Sequence, residues 1–330
     1  MLVSCKDTNL GVKVGEGQSN ISDFFETMKV RFEKCLDPTL SCNEKAINAH
    51  SVQNATSLGL IAEDNHVYEL RMRVKNGSPE CLFEKVGRNQ ASTFPGFCSR
   101  HDTEIFKPID TKPLSLDDAE QLFLIAYRSL TRELHTVMEA AMRLQTTLER
   151  QIAEGLVPKD KPSPAMTEAT AHMIKAWGVW KHRLEFYDRP FAKSRFGDVL
   201  HSTFVIEGRK PVLASSSFFS VDDKAWGKRF AAVTLNVIPT STTEAAVIVS
   251  YPKEQSGKAR RYVAPIFLKN GDARLSALSH MLVDRAENFF VSPQHVEGWT
   301  AEKRKAIEEA FVGTVIRGEP ATSSSDLMLF

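Results

Sequence analysis

Four side chains in the first third of the chain have the types and spacing of a metal site. Cys35 and Cys42 have six residues between them, and Cys98 and His101 form a C-x-x-H pair inside Gly96-Phe97-Cys98-Ser99-Arg100-His101-Asp102. Tetrahedral zinc takes four thiolate or imidazole donors, commonly as two short-range pairs, because each pair fixes two ligands while the intervening chain closes a loop. Cys42, Cys98 and His101 form the centre of the set. Cys35 is expected as the fourth ligand, with His50 or His66 as alternatives that would make the site Cys2His2. The two other cysteines, Cys5 and Cys81, read as small buried hydrophobes.

The order of these residues resembles the HNH endonuclease superfamily, a treble-clef, ββα-metal architecture with a knuckle, a histidine-bearing strand and a second knuckle that opens a helix. The resemblance covers residues 35 to 110. It is carried by Cys42-Asn43-Glu44-Lys45-Ala46-Ile47-Asn48-Ala49-His50-Ser51 and by Phe97-Cys98-Ser99-Arg100-His101-Asp102-Thr103-Glu104-Ile105-Phe106. It implies a structural zinc and a metal-dependent nuclease acting on DNA or RNA. His50 would be the general base that deprotonates the attacking water, and Asn89 would orient it. Asp102 would stand near a catalytic Mg or Mn ion that stabilises developing phosphorane charge.

The sequence also departs from that family. Ala49 precedes His50 where a metal ligand is usual, Asn89 is far from Cys98, and His101 stands in place of a cysteine. These departures leave a second reading, a non-catalytic zinc-binding module for protein or nucleic-acid interaction. The wider pattern, with Asn65-His66-Val67 and Ala91-Ser92-Thr93-Phe94 added, is similar to that of a group of bacterial proteins without an assigned activity. A role in bacterial defence would suit the nuclease reading.

A third reading rests on Arg128 and His135, whose spacing is similar to that of HEPN ribonucleases and would imply metal-free RNA cleavage at a dimeric site. On a helix such a pair more often belongs to a solvated face. Trp177, Trp180, Phe186 and Tyr187 interleave with Lys175, Lys181, His182 and Arg183, as a stacking surface for nucleic acid would, although aromatics at this spacing are more often core. Lys253, Lys258, Arg260 and Arg261 read as a basic turn. Ser215-Ser216-Ser217 lacks a G-x-S-x-G elbow, and no glycine-rich phosphate loop is present.

These residues must be positioned by an α+β fold. Residues 1–20 read as a flexible arm and 21–112 as the zinc-binding unit, with Phe24, Phe25, Met28 and Phe32 on a helix that delivers Cys35. Residues 113–190 read as a helical hairpin, opened near Ser115 and Asp118 and broken at Val157-Pro158 to Pro164. Residues 191–318 carry short β-branched runs expected to form an antiparallel sheet, with helices near 271–290 and 300–311. Residues 319–330 read as a flexible tail.

Composition sets the outer bounds. With 42 basic and 41 acidic side chains among 330 residues, the net charge of +1 gives no global attraction to nucleic acid, so only a local basic face could supply one. No apolar run approaches the roughly 18 residues of a membrane span. The odd cysteine count and the absence of a hydrophobic leader point to a reducing, cytoplasmic setting without disulfides. The C-terminal part is expected to serve a protein partner or a homo-oligomer contact.

Overall fold

Alternation along the later strands decides the architecture. In Glu244–Pro252, Val247, Val249 and Tyr251 pack with Val263, Ile266, Leu278 and Leu282, while Ala246 and Ile248 pack with Phe123 and Leu130. Successive strand residues point to opposite faces, so a strand apolar on both must be covered on both. The chain is accordingly a mixed α/β protein with helices on either side of an antiparallel sheet.

The computed structural model describes residues 31–39, 41–75, 78–221, 231–314, 319 and 327–330. In chain order the elements are β1 (Ile47–His50), β2 (His66–Lys75), β3 (Ser78–Gly87), β4 (Thr93–Phe97), α1 (Ser99–Asp110), α2 (Ala119–Ala153) and α3 (Pro164–Arg183). They continue as β5 (Val199–Glu207), β6 (Leu213–Ser220), β7 (Ala232–Pro239), β8 (Glu244–Pro252), α4 (Ser256–Phe267), α5 (Gly271–Arg285), β9 (Phe289–Val291) and α6 (Ala301–Val312). Seven strands form one sheet in the order β3-β2-β9-β6-β7-β8-β5, and β1 with β4 forms a separate two-stranded ribbon.

The helical hairpin α2–α3 lies on one face of the sheet; α4, α5 and α6 lie on the other. Helix α2 starts at Asp118, whose carboxylate accepts from the amides of Glu120 and Gln121 and so satisfies donors the first turn leaves unpaired. Ser163 caps α3 in the same way through Met166 N.

Several sequence expectations are corrected. Residues 21–112 do not form a separate unit, because β2 and β3 belong to the large sheet and β2 pairs directly with β9. Residues 31–35 are not helical where they lead into Cys35, and Lys34 bridges Lys45, while the expected helical positions before residue 31 lie outside the described residues. The basic turn is a short 3-10 segment followed by α4, with Arg260 donating to the Tyr251 hydroxyl. The chain end is no loose tail where it is described, since Leu327 and Leu329 are buried and Leu329 N donates to Ser279. The arm expected over residues 1–20, and Cys5 with it, lies outside the described residues.

Candidate metal centre

Cys35 and Cys42 flank a turn built on Asp37-Pro38-Thr39. The buried Asp37 carboxylate accepts from the amide of Thr39 (3.2 Å), from its hydroxyl, and from the amide of Cys42 (3.0 Å). Burial pushes the Asp37 carboxyl upward, but these hydrogen bonds outweigh it and hold the group below its ordinary value. The turn aims both cysteines at the same point. Sequence reasoning missed Asp37, although Asp-Pro-Thr between two cysteines is a turn signature with a mechanism.

The second pair comes from the junction of β4 and α1. Cys98 is the N-cap of α1 and His101 sits in its first turn, so the C-x-x-H spacing turns both donors to one side. The four ligand atoms of Cys35, Cys42, Cys98 and His101 lie within 4.8 Å of one another. Cys42 Sγ is 3.9 Å from Cys98 Sγ, and His101 Nδ1 is 3.3 Å from Cys35 Sγ and 3.5 Å from Cys98 Sγ. Zinc with bonds of about 2.3 Å to sulfur and roughly 2.05 Å to nitrogen needs tetrahedral donors about 3.8 Å apart for S–S and roughly 3.5 Å for S–N. The residues present fit zinc.

The electrostatics agree. The three cysteines are buried, and burial pushes the Cys35 thiol up to about 12 and the Cys98 thiol upward. A divalent cation reverses that preference by binding the thiolates. Cys98 N donates to Cys35 Sγ (3.2 Å), and the positive end of α1 faces the negative charge a Cys3His zinc site carries. His66 has no part in the cluster; its Nδ1 lies 2.6 Å from Asp64 O at the strand entry.

The residues expected to hydrolyse are distributed differently. His50 ends β1, and its Nδ1 lies 2.9 Å from Ala91 O and 3.2 Å from Ser92 Oγ. A carbonyl only accepts, so Nδ1 carries the proton and Nε2 presents a lone pair. Burial lowers the His50 pKa, and Arg128 and Arg88 lower it further, against the Ala91 carbonyl, so the ring is neutral near pH 7. Asn89 does not orient this ring; its Oδ1 accepts from Asn54 (2.9 Å). Asp102 lies in the first turn of α1, where burial and the Asp110 charge raise its pKa and Arg128 lowers it.

Arg128 is a fixed cation beside these groups. It makes paired hydrogen bonds to the Asp110 carboxylate (2.9 and 2.7 Å) and lies over the Phe106 ring. His135 is likewise turned inward, with Nε2 2.8 Å from Phe32 O and its ring against Phe32 and Phe94. Arg128 and His135 are therefore not part of a solvated helix face; both are buried and partnered. The aromatic and basic run on α3 is divided too. Trp177 is exposed, whereas His182 and Arg183 are buried.

Among the described residues, the cysteine–histidine cluster is the one group of three or more His, Cys, Asp or Glu donors close enough to hold a metal. No helix among them is long and apolar enough to cross a membrane. The fold and this centre together define a mixed α/β protein with a Cys3His cluster compatible with structural zinc. No family model, curated protein or solved structure matches the chain.

Proposed function

We propose that Cys35, Cys42, Cys98 and His101, held by the β1–β4 ribbon and the start of α1, form a treble-clef-like structural zinc site that serves a non-catalytic binding role. The observation that carries this reading is the set of four donors, three buried cysteines and the part-buried His101, at spacings that suit tetrahedral zinc, which leaves no coordination position for a reacting water. Arg128 supports it: a guanidinium already neutralising Asp110, and near enough to lower the pKa of both His50 and Asp102, opposes a second divalent cation between them.

One observation favours the hydrolytic alternative. His50 is neutral, anchored through Nδ1 and presents Nε2, the state a general base requires. The two readings separate in an assay with Mg²⁺ or Mn²⁺ on single- and double-stranded DNA and RNA. The module reading expects the zinc-loaded protein to cleave no faster than His50→Ala. Cleavage that His50→Ala abolishes, while zinc content stays unchanged, would transfer the assignment to an HNH-like nuclease.

A further inference from the structure

The large sheet ends in β3 on one side and β5 on the other, and the two edges are finished differently. At β3, side chains of α6 take up the outer ladder: Phe83 N donates to Glu308 Oε1 (2.9 Å), and Arg304 Nη2 donates to Phe83 O. The same strand carries Glu80, Glu84 and Lys85. Covering groups and charges of this kind keep an edge from pairing with another chain.

The β5 edge has no such protection. Its 9 residues, Val199–Glu207, pair one-to-one with β8 from Val199↔Pro252 to Glu207↔Glu244, without a bulge, and none of them is proline, lysine or arginine. Among the described strands only β8 pairs with it, so every second residue turns its amide and carbonyl to the open side. Phe204, near the middle of the strand, packs edge-on against Phe267 of α4 (5.6 Å between ring centroids), and Arg274 lies over its ring. Leu268 follows Phe267 and is 82% exposed, which gives this end of α4 an apolar rim.

We propose that β5 is a dimer interface, on which β5 of a second copy of this chain pairs antiparallel, Phe204 opposite Phe204, and joins the two sheets into one. An open strand edge alternates donors and acceptors, so under a two-fold axis it is complementary to itself. The side chains choose the register. With the axis at Phe204 the two rings form an aromatic cross-strand pair, and Val205 of each copy meets Thr203 of the other. Glu207, which already faces Glu244 across the β5–β8 pair, then meets His201 on its open side. An axis at Thr203 or Val205 would set Glu207 against Val199 or Thr203 instead. Antiparallel pairing also brings Asp198, just before each strand, toward the Arg209-Lys210 turn just after the other, so charges of opposite sign approach at both ends. The inference does not rest on the zinc reading, because no ligand of the metal centre lies on β5 or β8.

Sedimentation velocity of the full chain over a concentration series tests this and should show a dimer at its upper end. Phe204→Lys and Phe204→Glu each set like charges across the axis and should weaken the dimer about tenfold or more. An equimolar mixture of the two should restore it, because position 204 of one copy meets position 204 of the other. Near-UV circular dichroism checks that the variants fold. Hydrogen exchange on the wild type needs no variant: amides of Val199–Glu207 should exchange more slowly in the dimer than in the monomer. A wild type that stays monomeric throughout, exchange over Val199–Glu207 that is the same in both states, a dimer unchanged in the folded variants, or a mixture that associates no better than either variant alone would overturn the proposal.

Discussion

Arg183 Nη2 donates to the carbonyl of Leu36 at 2.5 Å, across 147 residues of sequence, so a guanidinium at the end of α3 holds the backbone next to Cys35 of the candidate metal centre. The same guanidinium bonds Asp188 Oδ1 (3.0 Å) and the Tyr127 hydroxyl (2.7 Å), and Tyr127 in turn donates to Asp188 (2.6 Å). All three side chains are buried. The metal centre is thus fastened to the helical hairpin by a closed polar network, not by apolar contact alone.

Breaking that network from one side leaves a buried charge. Arg183→Met strands Asp188 and should cost about 3–5 kcal/mol, as removal of one partner of a buried ion pair does. Urea denaturation measures it. A loss below about 1 kcal/mol would mean that the pair is not desolvated as the structure has it.

Burial holds His201 down to about 4 and His182 to about 3. An unfolded histidine titrates near 6.5, so between about 4 and 6.5 the unfolded chain binds more protons than the native one. Stability is complete above about pH 6.5 and falls on acidification, by up to about 1.4 kcal/mol per pH unit for each such histidine. His201→Asn should flatten that slope by one proton's worth. Urea midpoints at pH 7, 5.5 and 4.5 decide it, and an identical slope in the variant would contradict the assignment.

Helix α2 depends on its cap. Asp118→Ala removes the acceptor for two first-turn amides and should lower stability by about 1 kcal/mol. A thermal melt that shows no shift would mean that the turn at 115–118 satisfies those amides by another route.

The metal centre was legible because its chemistry is local: Cys98-x-x-His101 on a first helical turn and Cys35 with Cys42 around a turn declare their geometry through spacing. The start of α2 was legible near Ser115 and Asp118, although Asp118 and not Ser115 is its cap, and the later strands were legible as β-branched runs between turn signals. What was not legible is non-local. Arg128 looks like a solvated charge until Asp110 is brought to it, and Arg183 until Tyr127 and the Leu36 carbonyl are, while the pairing of β2 with β9 joins segments more than 200 residues apart, which no local pattern encodes. The orienting role expected of Asn89 fell to a backbone carbonyl, that of Ala91, and a carbonyl leaves no mark in residue type.

The central claim is that Cys35, Cys42, Cys98 and His101 hold one structural zinc. Elemental mass spectrometry of purified wild type, Cys98→Ser and Cys81→Ser tests it most directly, since Cys81 is buried outside the cluster and serves as the control. About one zinc per chain is expected in the wild type and in Cys81→Ser, in line with the four-donor stoichiometry of structural sites, and its loss in Cys98→Ser. A wild type without zinc, or zinc retained in full by Cys98→Ser, would contradict it.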